Sequence, residues 1–209
     1  KHAIAYANGT LALYASLIAL GIKPGDEVLV PDLTFIASAN SVIMAGAKPV
    51  FVDVDKKTFC IDAEKAEEKV TVRTRAIMPV HLYGQAADMD KIMPFAKKHG
   101  LNVIEDAAES IGAKFRGKHT GTFGDIGIIS FYGNKIITTA EGAIVLTDDD
   151  GLAEKIYRLR LVILITKEQS RRLQHGHGPI ARAFDCLVLH LSQRGRRCFN
   201  FRDGRRLRR

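Results

Sequence analysis

The sequence predicts a layered α/β fold built around a largely parallel sheet. Short apolar runs alternate with helical patterns along residues 1–160, and turn residues such as those of the KPGD stretch at 23–26 separate them. The runs are apolar almost throughout, as in residues 27–31 (EVLVP). Strands of this kind are buried on both faces, which is typical of parallel sheets covered by helices.

The helical patterns begin and end at recognisable signals. Asn8 or Thr10 can cap the first helix, and Gly21 follows its last apolar position. The fourth helix is amphipathic, and Gly100 follows it where a left-handed residue is favoured. The predicted helices span residues 10–20, 35–45, 62–69, 88–99 and 151–159.

Strands are predicted from the apolar runs between these helices. They span residues 27–31, 49–52, 76–80, 102–105, 126–131 and 143–147. A chain of 209 residues with 46% hydrophobic content is sufficient for one domain with a substantial core.

The positive charge of the chain is concentrated at its C-terminal end. Residues 161–209 hold eleven arginines and Lys167 against three acidic residues, whereas residues 1–160 are almost neutral. This basic tail shows no helical period and no aromatic interleaving, which favours a non-native or poorly ordered extension. A nucleic-acid-binding arm remains the alternative.

The cysteines and the apolar segments bear on localisation. Cys60, Cys186 and Cys198 are scattered, without CxxC or metal-ligand spacing, which favours unpaired thiols in a reducing compartment. No signal-peptide pattern and no long apolar run is found. We therefore expect a cytoplasmic protein without a membrane segment or a metal site.

Polar residues follow several of the predicted strands. Asp106 follows residues 102–105, Lys135 follows residues 126–131, and Phe35 and His81 come after two further strands. The NGT stretch at 8–10 precedes the first helix. Because ligands collect at the carboxyl ends of parallel strands, we expect these residues to share one site.

This set of side chains suits pyridoxal phosphate. A lysine amine can form a Schiff base with its aldehyde, and a carboxylate such as Asp106 can pair with its pyridinium nitrogen. Backbone N–H groups at a helix N-terminus, with Gly9 allowing close approach, can bind the phosphate. Ser130 could add a hydroxyl and Phe35 an aromatic face.

Each of these residues also has a purely structural interpretation. Lys135 could be a surface charge, Asp106 a helix cap and Phe35 a core residue. Ser130 could be a strand-end hydroxyl without a ligand, and Glu109 an exposed helix residue.

Several stretches resemble the DegT-like nucleotide-sugar aminotransferases, a family of fold-type-I pyridoxal phosphate enzymes. The resemblance covers residues 1–160 nearly without gaps. The stretches that carry it are NGTLALYASLIALGIKPGDEVLVPDLTFIASANSV, PVFVDVD, PVHLYGQAADMD, VIEDAAESIGAKFRGKHTGTFGDIG and SFYGNKIITTAEGA.

The resemblance implies a three-layer sandwich with a mostly parallel central sheet, and a role for each matching residue. Lys135 is the Schiff-base lysine, Asp106 meets the pyridine nitrogen and Phe35 stacks on the ring. Glu109 lies beside the ring hydroxyl, where the family carries Gln or Glu. The phosphate-binding positions are Gly9, Thr10 and Ser130.

The resemblance also implies a reaction. The EDAAES stretch is most similar to the perosamine-synthase branch, which aminates a 4-keto-6-deoxy nucleotide sugar. Dehydratase relatives carry histidine in place of Lys135, so lysine favours transamination. The family implies glutamate as amino donor and a homodimer.

Compared with the family, the chain is expected to be truncated. Residues 1–160 are expected to form part of the cofactor-binding large domain, without the family's N-terminal segment, and residues 161–209 replace its C-terminal part. Two alternatives to a working aminotransferase remain: an inactive aminotransferase-like fragment, and a nucleic-acid-binding module that uses the basic tail.

Overall fold

A seven-stranded sheet forms the centre of the structure, a computed structural model that describes residues 1–160. These residues lie within one compact unit. The order of the strands across the sheet is β1-β9-β8-β5-β4-β2-β3. Their bounds are β1 His2–Tyr6, β2 Glu27–Pro31, β3 Lys48–Val52, β4 Thr74–Ile77, β5 Asn102–Asp106, β8 Ile126–Ser130 and β9 Ala143–Thr147. A separate hairpin is formed by β6, Lys114–Phe115, and β7, Lys118–His119.

The sheet is mostly parallel, as predicted. Strands β3, β2, β4, β5 and β8 pair in parallel, whereas β9 runs antiparallel to both β8 and β1. The carboxyl ends of β2, β4, β5 and β8 therefore meet at one edge of the sheet.

Helices cover both faces of the sheet, which confirms the three-layer arrangement. The helices are α1 Gly9–Ala19, α2 Ala37–Met44, α3 Ala63–Glu67, α4 Met89–His99 and α5 at residues 150–160. Buried side chains of α1, α2 and α5 share one core with Val28 and Ile104. Those of α3 and α4 share a second core with Leu29 and Val103. Because neighbouring strand residues point to opposite faces, the two cores lie on opposite sides of the sheet.

The helix ends follow the sequence signals. Asn8 caps α1, and its Oδ1 accepts a hydrogen bond of 3.0 Å from the Leu11 N–H, so Asn8 rather than Thr10 is the cap. Gly100 follows α4 in the left-handed conformation, with φ 63°. Asp88 caps the other end of α4. These contacts satisfy backbone groups that a helix leaves unpaired at its ends.

Several details differ from the sequence prediction, which did not include the hairpin of β6 and β7. The strand expected at 76–80 is displaced to Thr74–Ile77, because Pro79 has no N–H to continue the pairing, and Val80 forms only an isolated bridge to Asp106. Strand β1 was not predicted. It is a short edge strand in which only Ile4 and Tyr6 are buried, so its signal is a weak alternation.

The prediction for the basic tail falls on residues 161–209, which lie outside the described part of the chain. Within residues 1–160, none of the helices has the length and apolar character needed to cross a bilayer.

Candidate active site

A cavity of about 350 Å³ opens at the carboxyl edge of the sheet, beside the N-terminus of α1. The seven residues predicted to bind the cofactor line its wall, so the structure brings them together, whereas His81, expected at the same site, does not line it. The seven are Gly9, Thr10, Phe35, Asp106, Glu109, Ser130 and Lys135. Their individual roles remain predictions that rest on this shared location.

Lys135 extends into the cavity from a closed loop that follows β8. The N–H of Phe131 donates to the Gly142 carbonyl at 2.8 Å, which closes the loop at its base. The Lys135 Nζ lies 2.9 Å from Glu109 Oε1 and 5.9 Å from the centre of the Phe35 ring. Only 12% of the lysine side chain is exposed. A surface lysine would be far more accessible, so this geometry argues against a solvated surface charge.

Asp106 is the last residue of β5 and is almost completely buried. Its Oδ2 accepts a hydrogen bond of 2.8 Å from the Ser38 hydroxyl, and its Oδ1 accepts one of 3.2 Å from the Ala108 N–H. Burial raises the pKa of the carboxyl group, and the two hydrogen bonds oppose this effect. The carboxylate is therefore held at the cavity wall by two donors rather than used as a helix cap.

The residues predicted to bind the phosphate meet where α1 approaches the end of β8. Gly9 and Thr10 begin α1, so their N–H groups have no acceptor within the helix. A Cβ atom added to Gly9 would lie 3.5 Å from the side chain of Ser130. A side chain at position 9 would therefore contact Ser130 and fill the space between α1 and the end of β8. The start of α1 and the Ser130 hydroxyl therefore border the same part of the cavity, and a helix N-terminus of this kind favours an anionic group.

Glu109 lines the cavity and links two segments of the chain. Besides the contact with Lys135, its Oε2 accepts a hydrogen bond of 3.1 Å from the Tyr83 N–H. Tyr83 lies in the turn Leu82–Gly84 with φ 51°, in the left-handed region that bulky residues rarely adopt. The carboxylate thus holds a strained turn and the lysine together.

The side chain of Phe35 lines the cavity and is largely exposed. Its side chain is 67% exposed although it borders the cavity, so it is not a core residue within the described structure. An aromatic ring in this position can stack on a flat ligand.

His81 does not line the cavity but lies fully buried behind it. Its Nδ1 accepts a hydrogen bond of 3.1 Å from the Ala87 N–H, so Nε2 carries the proton that is donated to Glu105, 2.9 Å away. The same Glu105 carboxylate accepts hydrogen bonds from the N–H groups of Gly121, Phe123 and Gly124 at 2.8, 2.5 and 2.7 Å. His81 is therefore part of a structural network behind the site.

Sequence reasoning missed Ser38, which contacts Asp106 directly. A serine inside a mostly apolar helix pattern is a weak signal, because Ser side chains usually face solvent or bond to their own helix. Asn134 and Glu141 also line the cavity and were not singled out.

A second groove, of about 520 Å³, is larger but has none of these features. It lies between α3 and α4 and is bordered by the exposed ion pairs Glu64–Lys91 and Glu67–Lys98. Exposed pairs of this kind are common on protein surfaces and contribute little. We therefore assign the candidate site to the smaller cavity.

Comparison with known proteins identifies the family of this chain. Residues 1–186 match the model of the DegT/DnrJ/EryC1/StrS aminotransferase family. The chain belongs to this family. The match extends past residue 160, where the resemblance of the motifs ends.

Several relatives of the chain have names that contain a sugar. The chain is 61% identical over 160 residues to a GDP-perosamine synthase of Caulobacter vibrioides, covering 77% of this chain and 43% of the relative. It is 51% identical over 160 residues to a UDP-N-acetyl-3-dehydro-alpha-D-glucosamine 3-aminotransferase of Acidithiobacillus ferrooxidans, covering 76% and 43%. The chain thus spans less than half the length of these curated relatives.

Solved structures of aminotransferases also resemble this chain. NtdA of Bacillus subtilis, determined with bound cofactor PMP, is 41% identical and superimposes with a TM-score of 0.70 over 75% of this chain and 35% of that one. Members of this aminotransferase family are pyridoxal phosphate enzymes. The residues of the cavity fit that cofactor, because a buried carboxylate, a lysine amine, an exposed aromatic face and an anion-binding corner surround one space.

Proposed function

We propose that this chain carries the pyridoxal phosphate site of a nucleotide-sugar aminotransferase. The proposed reaction transfers the amino group of an amino acid, glutamate, to a 4-keto-6-deoxy nucleotide sugar. The observation that carries the proposal is the convergence of Lys135 and Asp106 on one cavity with the anion-binding corner at Gly9. Similarity to the GDP-perosamine synthase supports the sugar class.

Each residue has a proposed task. The N–H groups of Gly9 and Thr10 and the Ser130 hydroxyl bind the phosphate, while Phe35 covers one face of the ring. The Asp106 carboxylate pairs with the ring N–H. When bound, pyridoxal phosphate supplies an electron sink for bond breaking at the α-carbon of the amino donor.

Lys135 has two proposed tasks in this reaction. Its amine would hold the cofactor through the aldehyde carbon, with loss of water. Once the amino group of the donor had replaced it there, the freed amine would move a proton at the α-carbon of the donor. Glu109 Oε1, at 2.9 Å, keeps the amine at the cavity before the cofactor enters.

The sugar pocket and the dimer interface are proposed to involve residues beyond those described in this chain. Since the chain spans less than half the length of its curated relatives, the sugar pocket and the homodimer of the family are proposals for the whole protein. Residues 1–160 are proposed to supply the cofactor-binding part and residues 161–209 a basic tail.

A labelling experiment tests the cofactor site. The chain is incubated with pyridoxal phosphate, reduced with borohydride and digested, and the labelled peptide is identified by mass spectrometry. We expect a pyridoxyl group on Lys135. Label on another lysine would contradict the assignment, and an absence of label would favour the inactive-fragment alternative.

A half-reaction tests the amino donor. L-Glutamate is added to the protein after incubation with pyridoxal phosphate, without borohydride. It should convert the bound pyridoxal phosphate to pyridoxamine phosphate, which is detected by chromatography of the released cofactor. D-Glutamate is the matched control. Salt-sensitive binding of RNA or DNA, without cofactor binding, would instead support the nucleic-acid alternative.

A further inference from the structure

The carboxylate of Asp106 is held by a short chain of hydroxyl groups. Ser38 lies in the first turn of α2, is fully buried, and its Oγ donates to Asp106 Oδ2 at 2.8 Å. The Thr34 Oγ1 lies 2.9 Å from the Ser38 Oγ. An ionised carboxylate can only accept, so the single Ser38 proton goes to Asp106 and the Thr34 hydroxyl donates to Ser38.

This chain of hydroxyls begins at the cavity wall. Thr34 lines the cavity together with Asp106, whereas Ser38 lies behind them. The Ala108 N–H holds the other carboxylate oxygen at 3.2 Å. With one fixed donor on each oxygen, the carboxylate has a single favoured orientation.

We propose that Ser38 is a positioning residue that keeps the Asp106 carboxylate ionised and in one orientation at the cavity wall. The proposal rests on the proposed function, because an ionised carboxylate is what a protonated ring nitrogen requires. A hydrogen bond to the charged form of a group favours that form.

The surroundings of Asp106 explain why such a donor is needed. Burial raises the pKa of this carboxyl group, and the hydrogen bonds from Ser38 and Ala108 lower it. The other titratable groups near it are His81, before α4, and Lys135, in the loop after β8, and each lowers the pKa of Asp106 when charged. Of the two hydrogen-bond donors, only Ser38 can be removed by changing a side chain.

The test measures Asp106 in the protein without cofactor. The carboxyl carbon of Asp106 is followed by ¹³C NMR as a function of pH in the wild type, Ser38→Ala, Ser38→Thr and Ser41→Ala. Ser41 is the matched control, since it is buried in the same helix and its Oγ donates to the Ser38 carbonyl rather than to Asp106. Should Ser38→Ala not fold, Ser38→Cys retains the size with a weaker donor.

The proposal predicts a rise of about one pKa unit for Asp106 in Ser38→Ala, a rise in the same direction in Ser38→Cys, and no change in Ser38→Thr or Ser41→Ala. The acid limb of pyridoxal phosphate binding, followed by fluorescence, should move by the same amount. An unchanged Asp106 titration in folded Ser38→Ala or Ser38→Cys would overturn the proposal, as would an equal rise in Ser41→Ala. The titration does not involve the cofactor, so failure of Lys135 labelling would count against the proposed function alone.

Discussion

The Nζ atom of Lys135 lies 2.9 Å from Oε1 of Glu109, while Oε2 of the same carboxylate accepts a hydrogen bond from the Tyr83 N–H. One side chain thus joins the loop after β8 to the turn Leu82–Gly84. The lysine amine is therefore held inside the cavity rather than in solvent. The proposed covalent chemistry requires the amine to be in the cavity.

Replacing Lys135 by arginine tests the covalent role directly. A guanidinium stays charged and cannot replace the amine at the aldehyde, although it can still pair with Glu109. We expect Lys135→Arg to lose the pyridoxyl label, and a complete protein to lose activity by at least about 10²–10⁴-fold. Mass spectrometry after borohydride reduction provides the measurement. The exposed Lys114→Arg should be labelled like the wild type, whereas a label that disappears in Lys114→Arg would refute the assignment.

Asp106→Asn separates the contribution of this residue to function from its contribution to stability. Because the pKa of Asp106 is raised in the folded state, the folded protein binds more protons, so stability decreases as the pH rises from the ordinary Asp value of about 3.9 to the folded value. We expect the unloaded Asp106→Asn protein to have a higher free energy of unfolding at pH 7, measured with urea, and weaker cofactor binding. The exposed Asp53→Asn should change neither. A less stable Asp106→Asn protein would contradict this account.

Glu27 provides the opposite dependence on pH, away from the cavity. It is buried, and the Thr71 hydroxyl, followed by Arg73 and Lys48, lowers its pKa. A lowered folded pKa adds stability above the unfolded value of about 4.3, and this is lost as the pH falls through the folded value. We expect Glu27→Gln to cost about 1–2 kcal/mol at pH 7 and progressively less below pH 4, in urea titrations. The exposed Glu68→Gln, which has only a 3.6 Å contact to Lys65, should cost almost nothing at either pH.

Gly127 tests how closely the loop before β8 packs on the sheet. A Cβ atom at this position would lie 2.0 Å from the Gly121 carbonyl oxygen, a backbone atom that cannot rotate away. We expect Gly127→Ala to lower the free energy of unfolding by about 1–3 kcal/mol. Gly133→Ala is the control, because its Cβ would meet its nearest neighbour at 3.9 Å. Equal melting temperatures for the two variants would show that the loop can move.

The fold could be predicted where local patterns are strong. The strands at 27–31 and 143–147 were predicted with their observed bounds, since continuous apolar runs between turn residues have few alternatives. The arrangement of β1 beside β9 could not be predicted, because it depends on pairing between residues far apart in the chain. The edge strand has too little buried surface to show a clear pattern.

The candidate site was predictable to the extent that its residues follow strands. Asp106 ends β5 and Lys135 lies in the loop after β8, and the topology brings the ends of these two strands together. Ser38 could not be found this way, because it reaches Asp106 from a helix on one face of the sheet. Its role depends on a distance between elements that sequence spacing does not encode.

The buried Glu105 carboxylate has a consequence for the dynamics of the loop at residues 121–124. This loop contains no regular secondary structure, yet three of its amide groups donate to one carboxylate on the central strand β5. Amide hydrogens in such a loop usually exchange with deuterium rapidly through local fluctuations. Here the N–H groups of Gly121, Phe123 and Gly124 can exchange only when their contact with β5 breaks, so they should be protected as strongly as the strand itself.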